Sequence, residues 1–425
     1  MGLRADEGVC LMVGWALAAQ GLAAQERVNL PAADQVLSGA PTPLFSVGAA
    51  DGEEWETFGD VVAVAFDAAN NLYVLDRQGA RVLVYGPDGR FLRAIGKKGN
   101  GPGEFQFPTG LAITTDGRIV VADLANRNVS ILEPTGELVR TVPFPQDVAL
   151  GTQQLRAHPA GGVVFSYRPV RAGGRDRSAG PPALPDSVFR IVWHTLEPDT
   201  DPRALAQAPV SSGRVRSAAP AAGGGRVGVV RVQRPPVFAP ELRWDMLPNG
   251  EIALVYTAGY SLGVIGADRR LARVINRGIS PRAVTEADQQ IARERLEQQL
   301  QSGQGMVAVQ VTRGPGGASR SVGAALPRNV IDAQLDQLEF ASVVPVIQGL
   351  VTDPAGRLWV ERAGNTPFEP GPIDIVTSRG RYLGTVNGVR LPAAFGPNGL
   401  AAWIESDDLG VERVTVARLP DWTRR

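Results

Sequence analysis

The chain is poor in the residues that most often carry chemistry. Among 425 residues there is one cysteine, Cys10, and there are two histidines, His158 and His194. A disulfide framework is therefore excluded, and a zinc site or a histidine-based catalytic pair has almost nothing to draw on. Lysine occurs only at Lys97 and Lys98; every other basic residue is arginine. Charge of one sign is lacking too: Lys+Arg and Asp+Glu both number 43. That balance excludes the basic footprint of a nucleic-acid binder. Long apolar runs are missing as well. VCLMVGWALAA (9–19) is too short to span a bilayer, and the small-residue stretch QGLAAQ follows it. Together they read as the core and cleavage zone of a secretory signal over residues 1–25. Asp6 and Glu7 beside a single Arg4 are atypical for the first part of a signal, and a start at Val9 or Met12 would remove them. A buried N-terminal segment is the alternative. Export to the periplasm or the medium is the expectation, as a chain without cysteine, transmembrane segment or cofactor, and as a monomer.

What is abundant is turn chemistry. There are 50 glycines and 33 prolines, with 44% of residues apolar. VAVAFDAANNLYVLDRQGARVLVYGPDGRFLRAIG is echoed 47 residues later by GLAITTDGRIVVADLANRNVSILEPTGELVRTV. Leu72 falls on Ile119, Asp76 on Asp123 and Gly89 on Gly136. A fixed period of this length, holding four short apolar runs, marks a propeller blade. The anchor is a turn with Asn or Gly followed by an alternating strand. It recurs in DAANNLYVLD, TTDGRIVVAD, HPAGGVVFSY, LPNGEIALVY, TDPAGRLWVE and GPNGLAAWIE.

These six anchors predict an all-β chain, a six-bladed β-propeller of four-stranded blades. The blades fall near 61–96, 107–145, 153–210, 240–276, 346–387 and 392–418. The last lacks its outer strand. PTPLFSVGAADGEEW (41–55) matches GRFLRAIGKKGNGPGEF (89–105), so residues 42–48 should complete it and close the ring over 42–418. Five or seven blades stay open, because blades 3 and 6 match the repeat weakly. The run GNGPGEFQFPTGLAITTDGRIVVADLANRNVSILEPTGEL resembles an NHL repeat. The whole chain resembles the secreted bacterial six-bladed propellers of the TolB-like family. That resemblance implies a binding scaffold more often than an enzyme.

Departures from the period carry the functional expectation. Residues 168–186 interrupt blade 3, the Gly/Ala/Pro-rich 211–230 separates blades 3 and 4, and a helical insertion over 278–345 separates blades 4 and 5. All three lie in loops that reach one face of the disc, where binding is expected. TEADQQIARERLEQQLQSG opens on Thr285 and Asp288 in capping-box spacing, with Ala292, Leu296 and Leu300 as its apolar stripe. PRNVIDAQLDQLEF reads as a second helix through Ile331, Leu335 and Leu338. The Gly-rich stretch between them (303–323) reads as a mobile connection.

Arg77, Arg168, Arg243, Tyr256, Trp359 and Arg362 are the candidate ligand-binding residues, near strand ends on that face. Arg with Trp and Tyr suits a carboxylate, a sugar or a peptide; inter-blade packing is the bland reading for Trp244 and Trp359. Asp76 and Asp123, at equivalent strand ends, read as structural acids bonding adjacent loop amides. GKKGNGPGEF (96–105) precedes a strand, not a helix, so it reads as an inter-blade turn and not a phosphate loop. A channel calcium site would need several carboxylates. The innermost-strand column of Val62 holds Thr109, Gln153, Leu242, Gln348 and Arg390. The column of Ala63 holds Gly110, Gln154, Arg243, Gly349 and Leu391. Neither contains an acid, so no metal and no catalytic residue is assigned. The expected function is an exported scaffold binding a small ligand, glycan, peptide or protein. The alternative is a lyase or hydrolase acting at the channel mouth on a lactone, sugar or peptide.

Overall fold

The computed structural model describes residues 26–144, 154–167, 188–198, 200–209, 235–302, 310–314, 317–321, 328–407 and 409–420. The signal expected over 1–25, the blade-3 insertion at 168–186 and the segment 211–230 lie outside the described residues. Four antiparallel strands, here a to d from the axis outward, build each blade. Blade 1 is Val61–Phe66, Leu72–Asp76, Arg81–Tyr85 and Phe91–Ile95; blade 2 is Pro108–Ile113, Ile119–Asp123, Asn128–Leu132 and Leu138–Pro143. Blade 3 is Leu155–Ala157, Val163–Tyr167, Val188–His194 and Arg203–Pro209; blade 4 is Leu242–Met246, Ile252–Tyr256, Ser261–Ile265 and Leu271–Asn276. Blade 5 is Ile347–Thr352, Arg357–Ala363, Pro370–Thr377 and Tyr382–Val386. Blade 6 takes Ala394–Gly396, Leu400–Ser406 and Glu412–Arg418 from the end of the chain and Thr42–Val47 from its start. The chain is a six-bladed β-propeller.

Alternation explains why the middle strands read as unbroken apolar runs. In blade 1, Leu72, Val74, Leu83 and Tyr85 pack on Leu400, Ala402, Val414 and Val416 of blade 6. Their neighbours Tyr73, Leu75, Val82 and Val84 pack on Leu111, Ile119, Val121 and Leu132 of blade 2. Both faces of each inner sheet are thus covered, so successive side chains are all buried. Outer strands have water on one side, and Leu138–Pro143 alternates half-buried with exposed.

The anchor turns share one geometry. Thr114 N–H bonds Arg118 O and Gly117 N–H returns to Thr114 O, both at 2.9 Å. Leu247 with Glu251, and Asp353 with Arg357, repeat it. The fourth position needs a positive φ: Asn70 has 66°, Gly117 84°, Gly250 86° and Gly356 76°. That requirement is what the D-x-x-N/G signature encodes.

Closure by the early strand pairs Phe45 with Val416 and Val47 with Val414. Ahead of it lies a strand that periodicity does not announce. Glu26–Asn29 runs parallel to Leu271–Asn276 as a fifth strand of blade 4. The chain then bridges to blade 5 through Val36 and Thr385 before reaching blade 6. Residues 26–47 therefore lace the outer edges of three consecutive blades.

The insertion between blades 4 and 5 contains helices α1 (Glu286–Ser302) and α2 (Arg328–Leu335). The capping box forms: Asp288 N–H bonds Thr285 Oγ1 at 3.2 Å and Thr285 N–H bonds Asp288 Oδ2 at 2.9 Å. Arg282 grips the same carboxylate with both terminal nitrogens, at 2.6 and 2.9 Å. Ala292, Leu300 and Ile331 are buried. The connection between the helices, read from the sequence as mobile, contains two strands among its described residues. Gln310–Gly314 and Gly317–Ser321 pair there as an antiparallel hairpin.

Candidate functional site

The candidate residues of the insertion-bearing face do not converge. Arg77 donates through Nε to Asp60 at 2.7 Å, and its guanidinium lies 4.8 Å over the Phe107 ring. It therefore seals the seam between blades 1 and 2. Arg243 is half exposed and pairs with Glu241 at 2.8 Å. Tyr256 ends its strand half-buried, and Arg168 lies outside the described residues. Arg362 is committed to Asp34 at 2.7 Å. Trp359 needs correction. It is 2% exposed and sits beside the anchor turn of blade 5, on the opposite face, giving its indole N–H to Asp353 at 2.9 Å. Counting it near the outgoing end of its strand put it on the wrong side of the disc.

Asp123 accepts from the backbone N–H groups of Gln106, Phe107, Ala125 and Asn126, at 2.6 to 3.1 Å. Asp76 takes Gly59, Asp60 and Gly79 together with Arg81 Nε. Each ties the loop entering its blade to the turn between strands b and c. The glycine-rich loop before blade 2 consumes its own amides: Gly99 N–H bonds Phe105 O and Gly101 N–H bonds Glu104. A phosphate would find those two donors taken.

The axial hollow lies elsewhere. A cavity of ≈ 390 Å³ opens among the anchor turns, on the face opposite the insertions, and the innermost strands of all six blades wall it. Phe66, Leu111, Ile113, Met246, Val351 and Phe395 supply much of the lining. Set into this apolar ring are Arg156 of blade 3 and Asp245 of blade 4. Arg156 Nε donates to Asp245 Oδ1 at 2.6 Å, and Nη1 to Leu155 O at 3.1 Å. Asp245 is 2% exposed. It also accepts from Met246 N at 2.9 Å and, on its other oxygen, from Thr352 N at 2.7 Å. One carboxylate thus joins blades 3, 4 and 5 beside the axis.

Sequence reasoning missed this pair. The strand pairing sets Ala65, Ala112, Arg156, Asp245, Val351 and Phe395 at equivalent positions, opposite Tyr73, Val120, Val164, Ala253, Trp359 and Ala401. The two columns tested in the sequence, those of Val62 and Ala63, end just short of it. Extending the same alignment by two residues would have exposed both charges. Asp353 also lines the cavity, but its oxygens hold Ala355 N, Arg357 N, Arg357 Nε and the Trp359 indole. Among the described residues no group of three or more His, Cys, Asp or Glu could hold a metal ion.

Two carboxyls nearer the other mouth are held above the ordinary glutamate range. Burial raises Glu361, against a hydrogen bond from Gly371. Burial, with Asp60 and Asp76 nearby, raises Glu412, whose carboxylate accepts from Val61 N–H.

Residues 57–148 match a family model described as a 6-bladed beta-propeller. No curated protein matches the sequence. Several solved structures are similar over most of the chain. A member of the duf4221 family from Bacteroides vulgatus has 11% identity and a TM-score of 0.49, covering 89% of this chain and 97% of that one. A Bacteroides fragilis protein thought to be exported has 12% identity and a TM-score of 0.45, covering 93% and 99%. A gluconolactonase from Xanthomonas campestris has 12% identity and a TM-score of 0.37, covering 89% and 87%. Such distant likeness concerns the fold and nothing further. No helix among the described residues is long and apolar enough to cross a membrane.

Proposed function

We propose that this chain is an exported propeller that binds a small ligand in the axial cavity without transforming it. The apolar run at 9–19 supports export. The observation carrying the rest is the saturation of Asp245. A general base needs a free lone pair facing the substrate, and calcium needs several anionic oxygens. Asp245 offers neither, since Arg156 of blade 3, the adjacent Met246 amide and the Thr352 amide of blade 5 occupy it. A largely apolar hollow with few polar groups is the usual form of a small-molecule site, and ≈ 390 Å³ falls within the common range of about 300 to 1,000 Å³.

This reading moves the site from the insertion-bearing face to the anchor-turn face. Insertions advertise sequence variation, whereas a cavity requires convergent walls, and the described walls converge at the anchor turns. The test is a ligand screen by melting temperature on the wild type and on Ala393→Trp. Ala393 lines the cavity and is exposed, so an indole there fills space without invading the core. A ligand that stabilises the wild type should lose its effect in the variant and be recovered chemically unchanged. Recovery of a cleaved or isomerised product would sink the reading.

A further inference from the structure

Resting on the axial site just proposed, we infer that its ligand carries an anion, a carboxylate or similar planar oxyanion, received by Arg156, on an apolar body. Among the described residues, Arg156 is the only cationic one lining the cavity. A guanidinium has five N–H donors in a fixed fork. Nε is spent on Asp245 and one N–H of Nη1 on Leu155 O. Nη2 has no acceptor among the described residues. Its side chain is 34% exposed, against 4% for Asp245.

The acids of the cavity cannot compete for that fork or repel what it binds with free lone pairs. Asp245 and Asp353 both lie within 2% exposure, and each is filled by donors from its own surroundings. Asp245 instead acts as a positioning residue. It holds Nε of a side chain that lines the hollow, and leaves Nη2 and one N–H of Nη1 without an acceptor among the described residues. Two terminal nitrogens side by side match the two oxygens of a carboxylate, the geometry that makes arginine the residue for planar anions. Most of the remaining lining side chains are apolar, which strengthens a charge-assisted bond and favours a hydrocarbon or aromatic body over a polyol. A sugar would need several polar partners, and besides Thr115 and Thr352 the lining has little to give it.

The experiment compares matched pairs on the full chain: hexanoate with hexanamide, and 3-phenylpropanoate with 3-phenylpropanamide, by calorimetry and melting temperature. The acids should bind at least about tenfold more tightly than their amides, the worth of one charge-assisted interaction. Arg156→Gln should bring the acids down to the level of the amides, and Arg156→Lys should fall between. Arg243→Gln, on the other face, should change nothing. The acid–amide comparison uses the wild type and depends on no variant folding. Amides binding as well as acids, or acids binding Arg156→Gln as they bind wild type, would overturn the anion. If neutral probes bind and Ala393→Trp excludes them while acids do no better, the axial site survives and the anion does not. If acids and amides alike bind as well to Ala393→Trp as to wild type, or bind neither, the axial site falls as well.

Discussion

Arg277 is a buried cation whose removal should loosen one end of the ring more than the rest. Its side chain is wholly buried, as is that of Asp374 in blade 5, and Nη1 meets Asp374 Oδ2 at 2.6 Å. The same guanidinium bonds Pro31 O at 2.9 Å and Asp34 Oδ1 at 2.6 Å, and lies 4.7 Å over the Tyr382 ring. It therefore joins blade 4, blade 5 and the N-terminal strap in one contact. Breaking a buried pair by removing one partner costs about 3 to 5 kcal/mol, because a charge stays behind without compensation. Here each partner keeps a second: Asp374 retains Thr385 Oγ1 at 2.6 Å and Arg362 Nε at 3.5 Å. Arg277→Met should therefore sit near the low end, about 3 kcal/mol in urea unfolding. Asp374→Asn should cost about as much or less, since Arg277 still holds Asp34 and the strap carbonyls. The two variants separate in hydrogen exchange. Arg277→Met should release the amides of Leu30 and Leu37, which bond Asn276 O and Thr385 O, while Asp374→Asn leaves them protected. A loss below about 1 kcal/mol in Arg277→Met, with Leu30 and Leu37 still protected, would refute the account.

Three further outcomes are expected. Asp123→Ala orphans four backbone N–H groups and should cost about 3 kcal/mol or more in urea, whereas an equal loss in Glu251→Ala, a half-buried residue of the blade-4 anchor turn, would show that the assay reads something else. Thr285→Ala removes the cap of α1 and should lower stability by about 1 kcal/mol, with circular dichroism showing the loss confined to helix; a change in the strand signal would contradict this. Burial depresses the His158 imidazole below its ordinary 6.5. The folded ring therefore binds a proton less readily than the unfolded one, and stability present above 6.5 is lost as pH falls through the folded value. His158→Asn keeps an acceptor for Ala160 N–H, so its melting temperature should fall less than wild type on acidification, and identical slopes would count against the assignment.

The sequence exposed those parts of the fold that a backbone conformation enforces. Asn70, Gly117, Gly250 and Gly356 announce blades because each occupies a positive-φ turn position. Thr285 and Asp288 announce a helix because the cap needs two side chains at that spacing. Residues 42–48 were legible because a missing strand at one end matched a spare one at the other. Glu26–Asn29 was not, since a short parallel addition to an outer edge needs no apolar alternation and leaves none to read. The paired strands Gln310–Gly314 and Gly317–Ser321 lie among glycines that read equally well as a linker.

The site was obscured for a different reason. Periodicity reports the register of each blade, but chemistry at the axis depends on how far along the innermost strand the hollow lies. Arg156 and Asp245 stand in one column, where blades 1, 2, 5 and 6 carry Ala65, Ala112, Val351 and Phe395. A column with two opposite charges in adjacent blades and apolar residues in the other four has no repeat logic of its own. The repeat is satisfied by any side chain small enough to fit. Its exceptions are therefore where selection for something other than the ring can act. Arg77, Arg362 and Trp359 looked like exceptions by residue type, yet each is absorbed by a local partner in Asp60, Asp34 and Asp353. Arg156 differs in that it lines the cavity, its side chain 34% exposed, with Nη2 lacking an acceptor among the described residues. Residue type proposes candidates, but uncommitted hydrogen-bonding capacity beside a hollow is what separates a binding group from a structural one.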